Sequence, residues 1–219
     1  MIVINNDDPD SDYGAAHLAA AFAGSFEAEI VSPLGGLPHA DEWIRGGAAR
    51  ALVLSGSDRS IGEALPWMLE EKELLRKAVA ARVPVLAICF GHQLLGEAFG
   101  AGIVTREKRI GLFEVEIVGG DPAFDGIGGT ATVPEQHADQ LSRVPVAFDL
   151  IATSDYCRVQ AMRHAEAPAY GMQFHPCYEE SVFEADEAWA ALPHLIERFD
   201  HDGARILANV ARSFAALVA

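Results

Sequence analysis

Basic residues are scarce in this chain. Lys and Arg number 16 against 32 Asp and Glu, a formal net charge of −16, and the bases nowhere form a run of five. Such a field repels phosphate backbones and disfavours nucleic-acid binding. The excess of acid fits a solubility requirement or a salty cytoplasm equally well. Cysteine is scarce too. Cys89, Cys157 and Cys177 include no CxxC pair and leave an odd count, so neither a disulfide scaffold nor a structural zinc site finds support. Long apolar runs are missing: stretches such as Val83 to Phe90 fall far short of a membrane span, and the start Met1-Ile-Val-Ile-Asn-Asn-Asp-Asp8 lacks the basic beginning of a signal peptide. The expectation is a cytoplasmic protein that does not bind membranes. No linker, charge block or repeat divides residues 1–219, which read as one domain. No G-x-x-x-x-G-K-[ST] loop is present, so nothing marks the chain for ATP-driven activation of an acceptor.

What is present is an ordinary globular balance, half hydrophobic and 22% charged. Short β-rich runs alternate with Ala- and Leu-rich stretches of helical period, which predicts an α/β fold: an open, mainly parallel sheet with helices on both faces. Met1 to Asn5 reads as the first strand, and an acidic loop, Asp7 to Asp12, leads to a helix from about Tyr13 to Ala23. Strands follow at Glu29 to Ser32 and Ala51 to Leu54. Pro66 opens a helix with Trp67, Leu74, Leu75, Ala78 and Val79 on one face and a supporting Glu73–Lys77 pair. From Gly111 to Arg163 the helical period disappears. Phe113 to Val118, Thr130 to Val133, Leu150 to Thr153 and Val159 to Met162 suggest a small insertion of antiparallel strands. Ala169 to Phe174 reads as the last main strand. Gly203 to Ala216 closes the chain as a helix with Ile206, Val210, Phe214 and Leu217 on one side.

The chemistry centres on Pro84-Val-Leu-Ala-Ile-Cys89-Phe-Gly91-His-Gln93. An apolar strand runs into a cysteine and then a helix-opening glycine, the sequence form of a nucleophile elbow. Such a turn is strained and needs small residues two positions either side, which Ala87 and Gly91 supply. A buried, inert thiol is the plainer reading of Cys89 alone. His175 follows a strand as well, and ligands of open α/β sheets bind beyond the carboxyl ends of the strands, where both residues would lie. An imidazole beside a thiol lowers its pKa and can protonate a leaving group. The helix N-terminus at Gly91 favours a negative sulfur. The small-residue loop Ser55-Gly56-Ser57 ends another strand, and its N–H groups, with that of Phe90, suit a developing oxyanion. Without the elbow it would read as a plain connection.

In this order, Leu54-Ser-Gly-Ser57, the elbow, His137-Ala-Asp139, Ile151-Ala-Thr-Ser-Asp155 and Tyr170-Gly-Met-Gln-Phe-His-Pro176 make the chain resemble the class I glutamine amidotransferase domains, especially the glutaminase domain of GMP synthase. Those domains carry an SGG loop, a PVLGIC-x-GHQ elbow, an SHGD-like segment, an ATSD strand and a GVQFHPE ending. The likeness runs from about residue 2 to Gly203-Ala-Arg-Ile-Leu-Ala-Asn209, similar to the family's closing segment. It implies a flavodoxin-like sheet and hydrolysis of the glutamine side-chain amide through a γ-glutamyl thioester, with no cofactor and no metal. By this resemblance Cys89 attacks, His175 serves as base and then acid, and Gly56, Ser57 and Phe90 hold the oxyanion. Gln93 helps to bind glutamine, and Gln136 and His137 lie near its head group, with Gln136 in place of the usual serine.

Two more departures stand out. Ala87 replaces a glycine, a mild change. The glutamate of HPE, which orients the histidine in the family, is Cys177 here, and a thiol of ordinary pKa cannot hold an imidazolium as a carboxylate does. Glu179 and Glu180 are the acids near enough in sequence to stand in, and they read equally well as a solvated helix start. Three functions therefore stay open: a glutaminase passing ammonia to a partner synthetase, a hydrolase of another γ-glutamyl compound, and a non-catalytic member that binds glutamine or a partner.

Overall fold

The computed structural model describes residues 1–7, 13–47, 49–181, 189 and 200–218. Most of the predicted acidic loop, residues 8–12, lies outside them. Five parallel strands, β1 (Ile2–Ile4), β2 (Glu29–Val31), β3 (Leu52–Leu54), β4 (Val85–Ile88) and β9 (Ala169–Met172), form one half of the sheet. Between β4 and β9 the chain adds β5 (Ile103–Ile117), β6 (Thr130–Leu141), β7 (Phe148–Thr153) and β8 (Ala161–His164), all antiparallel to their neighbours. The order across the sheet is β2-β1-β3-β4-β9-β8-β7-β5-β6. The expected antiparallel insertion is thus an extension of the main sheet through β8, and it is longer than the sequence suggested.

The parallel strands are apolar on both sides because both sides are covered. Along β4, Val85 and Ala87 face one core with Leu54, Leu75 and Leu94, whereas Leu86 and Ile88 face the other with Leu18, Phe22 and Phe214. Alternation along a strand sends successive side chains to opposite faces, so a continuous apolar run is what a doubly covered strand requires. Helix α1 (Tyr13–Phe22) and the closing helix α5 (Gly203–Val218) contribute to the second core. Helices α2 (Ala40–Arg45), α3 (Pro66–Ala80) and α4 (Phe90–Ala98) contribute to the first. Pro66 starts α3 as expected. The Glu73–Lys77 pair does not form: Glu73 bonds Arg76, and Lys77 reaches Asp41 on α2, 2.8 Å away. On α5, Ile206, Val210 and Phe214 are buried, but Leu217 is 61% exposed, while its neighbours Ala215 and Val218 pack against the core. Among the described residues no helix is long and apolar enough to cross a membrane.

Candidate active site

Strand β4 delivers Cys89 into a backbone conformation that L-residues avoid, with φ 51° and ψ −104°. Such strain persists only where the surroundings fix it. Here the Cys89 N–H bonds the Met172 carbonyl of β9 at 2.7 Å, and the Cys89 carbonyl accepts from Gln93 N–H at 3.0 Å as α4 begins. Two residues on, a β-carbon at Gly91 would stand 2.7 Å from Leu54 Cβ and 3.1 Å from two backbone carbonyl oxygens. Only glycine lets α4 start this close to β3.

His175 lies three residues beyond β9, and its N–H bonds the Pro134 carbonyl of β6 at 2.8 Å. Its ring stacks on Tyr178, with centroids 4.2 Å apart. Gly56, at the end of β3, sits against both: a β-carbon there would be 3.0 Å from His175 Cε1 and 3.5 Å from Cys89 Cβ. Cys89, His175, Gly56, Ser57, Phe90, Gln93, Gln136, His137 and Cys177 all border one cavity of about 610 Å³. The sheet edge therefore gathers every residue that the sequence proposed as nucleophile, base, oxyanion donor or substrate contact. Among the described residues the Gly56 and Ser57 N–H groups donate no hydrogen bond, which leaves them available to an oxyanion.

Burial governs the charges. It pushes the Cys89 thiol up to about 12, against a backbone hydrogen bond with Phe90 that pulls down, and it pushes His175 down to about 3, aided by nearby His137. The resting pair is a neutral thiol and a neutral imidazole. Cys177 is buried beside them with its thiol also raised by burial to about 12, so it offers no negative charge.

Neither candidate acid takes the glutamate's place. Glu179 is exposed and pairs with His17 Nδ1 at 3.6 Å, and Glu180 is exposed as well. The chain has turned away from the imidazole within two residues of Cys177. His175 Nε2 is buried without a hydrogen-bond partner among the described residues.

Several contacts were not foreseen. Gln136 Oε1 accepts from Trp189 Nε1 at 2.6 Å, so its amide is engaged in the wall of the site. His137 Nδ1 lies 3.2 Å from the Asp139 carbonyl, and its Nε2 is 3.3 Å from Glu135 Oε2 but makes no hydrogen bond among the described residues. Glu135 is fully buried, bonded by Gln160 Nε2 at 2.7 Å and close to Arg109 at 3.3 Å. Asp139 clasps Ser60 and Thr105 and so ties the loop after β3 to the antiparallel strands. Gln93 Nε2 donates to the Asp139 carbonyl at 2.8 Å and to Gln173 Oε1 at 3.2 Å. An isolated Gln173 between Met172 and Phe174 was the available signal, because an amide in an apolar run must find partners. Among the described residues no group of three or more His, Cys, Asp or Glu could hold a metal ion.

A strained cysteine, a histidine and loop amides without hydrogen-bond partners among the described residues thus meet at the end of a parallel sheet. Residues 39–187 match the family Glutamine amidotransferase class-I, and the chain belongs to that family. It is 44% identical over 105 residues to a subunit of the glutamine-hydrolyzing GMP synthase of Pyrococcus furiosus, covering 48% of this chain and 56% of that protein. With the corresponding GMP synthase chain of Methanothermobacter thermautotrophicus it shares 42% over 95 residues, 43% of this chain and 51% of the other. The chain thus spans about half the length of these curated relatives. Among solved structures, a GMP synthase-type protein of Thermoplasma acidophilum matches 99% of this chain and 95% of its own, with TM-score 0.74 and 24% identity. A glutamine amidotransferase of Methylobacillus flagellatus matches 99% and 92%, with TM-score 0.77 and 23% identity. These two establish the fold.

Proposed function

We propose that the chain is an amidotransferase-type glutaminase that acts as a single domain in the cytoplasm and supplies ammonia to a synthetase partner. The observation that carries this reading is the strained Cys89 facing His175 across Gly56. Cys89 Sγ attacks the side-chain amide carbon of glutamine while its proton passes to His175. The Gly56, Ser57 and Phe90 N–H groups receive the oxyanion. His175 then protonates the departing nitrogen as the C–N bond breaks, leaving a γ-glutamyl thioester and ammonia. Water, deprotonated by His175, hydrolyses the thioester to glutamate and returns the proton to Cys89. The curated relatives are each one subunit of a glutamine-hydrolyzing synthase, which supports a separate synthetase chain as acceptor of the ammonia.

Cys177, with no carboxylate bonded to His175 among the described residues, favours a second reading in which the substrate is another γ-glutamyl compound or turnover is absent. Ammonia or amine release from glutamine, γ-glutamyl peptides and γ-glutamyl amines separates these, with Cys89→Ser as control. The first reading predicts slow, Cys89-dependent hydrolysis of glutamine by the purified chain and faster hydrolysis with a synthetase partner. Turnover confined to a γ-glutamyl amine or peptide would establish the second, and binding of glutamine without release of ammonia would leave a non-catalytic protein.

A further inference from the structure

Gln173 follows β9 and is fully buried. The two ends of its carboxamide do different work: Oε1 accepts from Gln93 Nε2 at 3.2 Å, and Nε2 donates to Cys89 Sγ at 3.6 Å. A half-turn would exchange these ends, so something must fix the amide's direction. Gln93 does so. The Asp139 carbonyl, 2.8 Å from Gln93 Nε2, can only accept, so the nitrogen end of Gln93 must face it. The second N–H of that nitrogen then meets Gln173 Oε1, which leaves the Gln173 N–H groups for the sulfur. The Gln173 backbone is held in turn by a 2.8 Å bond to the Gln160 carbonyl.

We infer that Gln173 is a catalytic residue that stabilises the Cys89 thiolate, and that Gln93 is a positioning residue which keeps the Gln173 donor on the sulfur. This rests on the reading of Cys89 as nucleophile. In the resting thiol the sulfur faces the Gln136 carbonyl at 4.0 Å. Once the proton leaves, that carbonyl repels the anion, and the Gln173 N–H becomes a charge-assisted donor in a site with little water to compete. Gln93, assigned by resemblance to glutamine binding, borders the cavity and has its amide nitrogen committed on both sides.

The test reads the thiol rather than turnover. In the full chain, alkylation of Cys89 by iodoacetamide is followed across pH by peptide mass spectrometry. Gln173→Met, close in volume, should slow it about tenfold at a given pH, the lower end of a charge-assisted bond. Gln93→Met removes the N–H that fixes the Gln173 amide without adding charge, so the Gln173 oxygen can turn to the sulfur. Alkylation should slow, by less than in Gln173→Met. Near-UV circular dichroism verifies that each variant folds, and the two fail independently. For glutamine turnover, both should lower kcat with KM little changed. A parental alkylation profile in folded variants overturns the inference, as does a rise in KM alone, which would return Gln93 to substrate binding. If parental Cys89 resists alkylation while Cys157 or Cys177 reacts, both this inference and the nucleophile assignment fall.

Discussion

Gly56 lies so close to His175 that a single methyl group added to it would stand 3.0 Å from the imidazole Cε1. The contact is with a side chain that can give way by a few tenths of an ångström. Gly56→Ala should therefore fold, with stability within about 1 kcal/mol of the parent. It should displace His175 and lower kcat roughly ten- to a hundredfold, since catalysis is steep in the placement of reacting groups. Gly91→Ala is the contrasting case, because its methyl would meet Leu54 Cβ at 2.7 Å and fixed backbone oxygens. The gain of about 1 kcal/mol in helix propensity is outweighed by an overpacking cost of up to about 3 kcal/mol. Denaturant titration of both variants alongside kinetics checks the pair.

By its place in the sequence motif, Cys177 replaces the family's orienting glutamate, and its buried thiol stays neutral at working pH. Cys177→Glu should raise kcat for glutamine by roughly one to two orders of magnitude, the worth of a charge-assisted hydrogen bond that strengthens as charge forms. Glu179→Gln should be nearly silent in the same assay, because Glu179 is turned to His17. A costly Glu179→Gln would show that this acid reaches His175 during turnover.

Two histidines make the fold sensitive to acid. Burial pushes His92 and His175 each from 6.5 to about 3. Between these values the unfolded chain binds more protons than the native one, so stability is intact above about pH 6.5 and falls as pH drops toward 3. The loss is on the order of 5 kcal/mol for each histidine at the acid limit. Urea midpoints measured from pH 7.5 to 4 should decline, and His92→Gln should flatten the decline.

Glu71 works in the opposite direction. It is fully buried on α3, neither carboxyl oxygen has a hydrogen-bond partner among the described residues, and burial raises its pKa well above 4.5. The native state then holds a proton that the unfolded state releases, so the group costs stability as pH rises above 4.5. Glu71→Met should stabilise the protein at pH 7.5 by about 1–3 kcal/mol, the cost of an unsatisfied buried polar group, and by less at pH 5. Thermal melts at the two pH values provide the comparison.

The elbow was legible because its demands are local: an apolar strand, a cysteine and a glycine that nothing larger can replace. The parallel strands were legible for the same reason, since burial on both faces leaves continuous apolar runs. Strand β5 was not. Its first half, Thr105-Arg-Glu-Lys-Arg109, is charged and largely exposed and carries a bulge opposite β6, so alternation is lost where the strand begins. The engagement of Glu135 by Gln160, and of Cys89 by Gln173, depends on which strands lie side by side. One-dimensional spacing does not carry that information. The acidic stand-ins near Cys177 were a reasonable expectation from proximity in sequence, and the direction of the chain after Pro176 removed them.

Whether Cys89 is the nucleophile, paired with His175, is tested most directly by treating the purified chain with an electrophilic glutamine analogue and mapping the adduct by peptide mass spectrometry. The expected result is a stoichiometric adduct on Cys89, slowed by excess glutamine and sharply reduced in His175→Gln. Modification chiefly at Cys157 or Cys177, or labelling of Cys89 that glutamine does not slow, would contradict it.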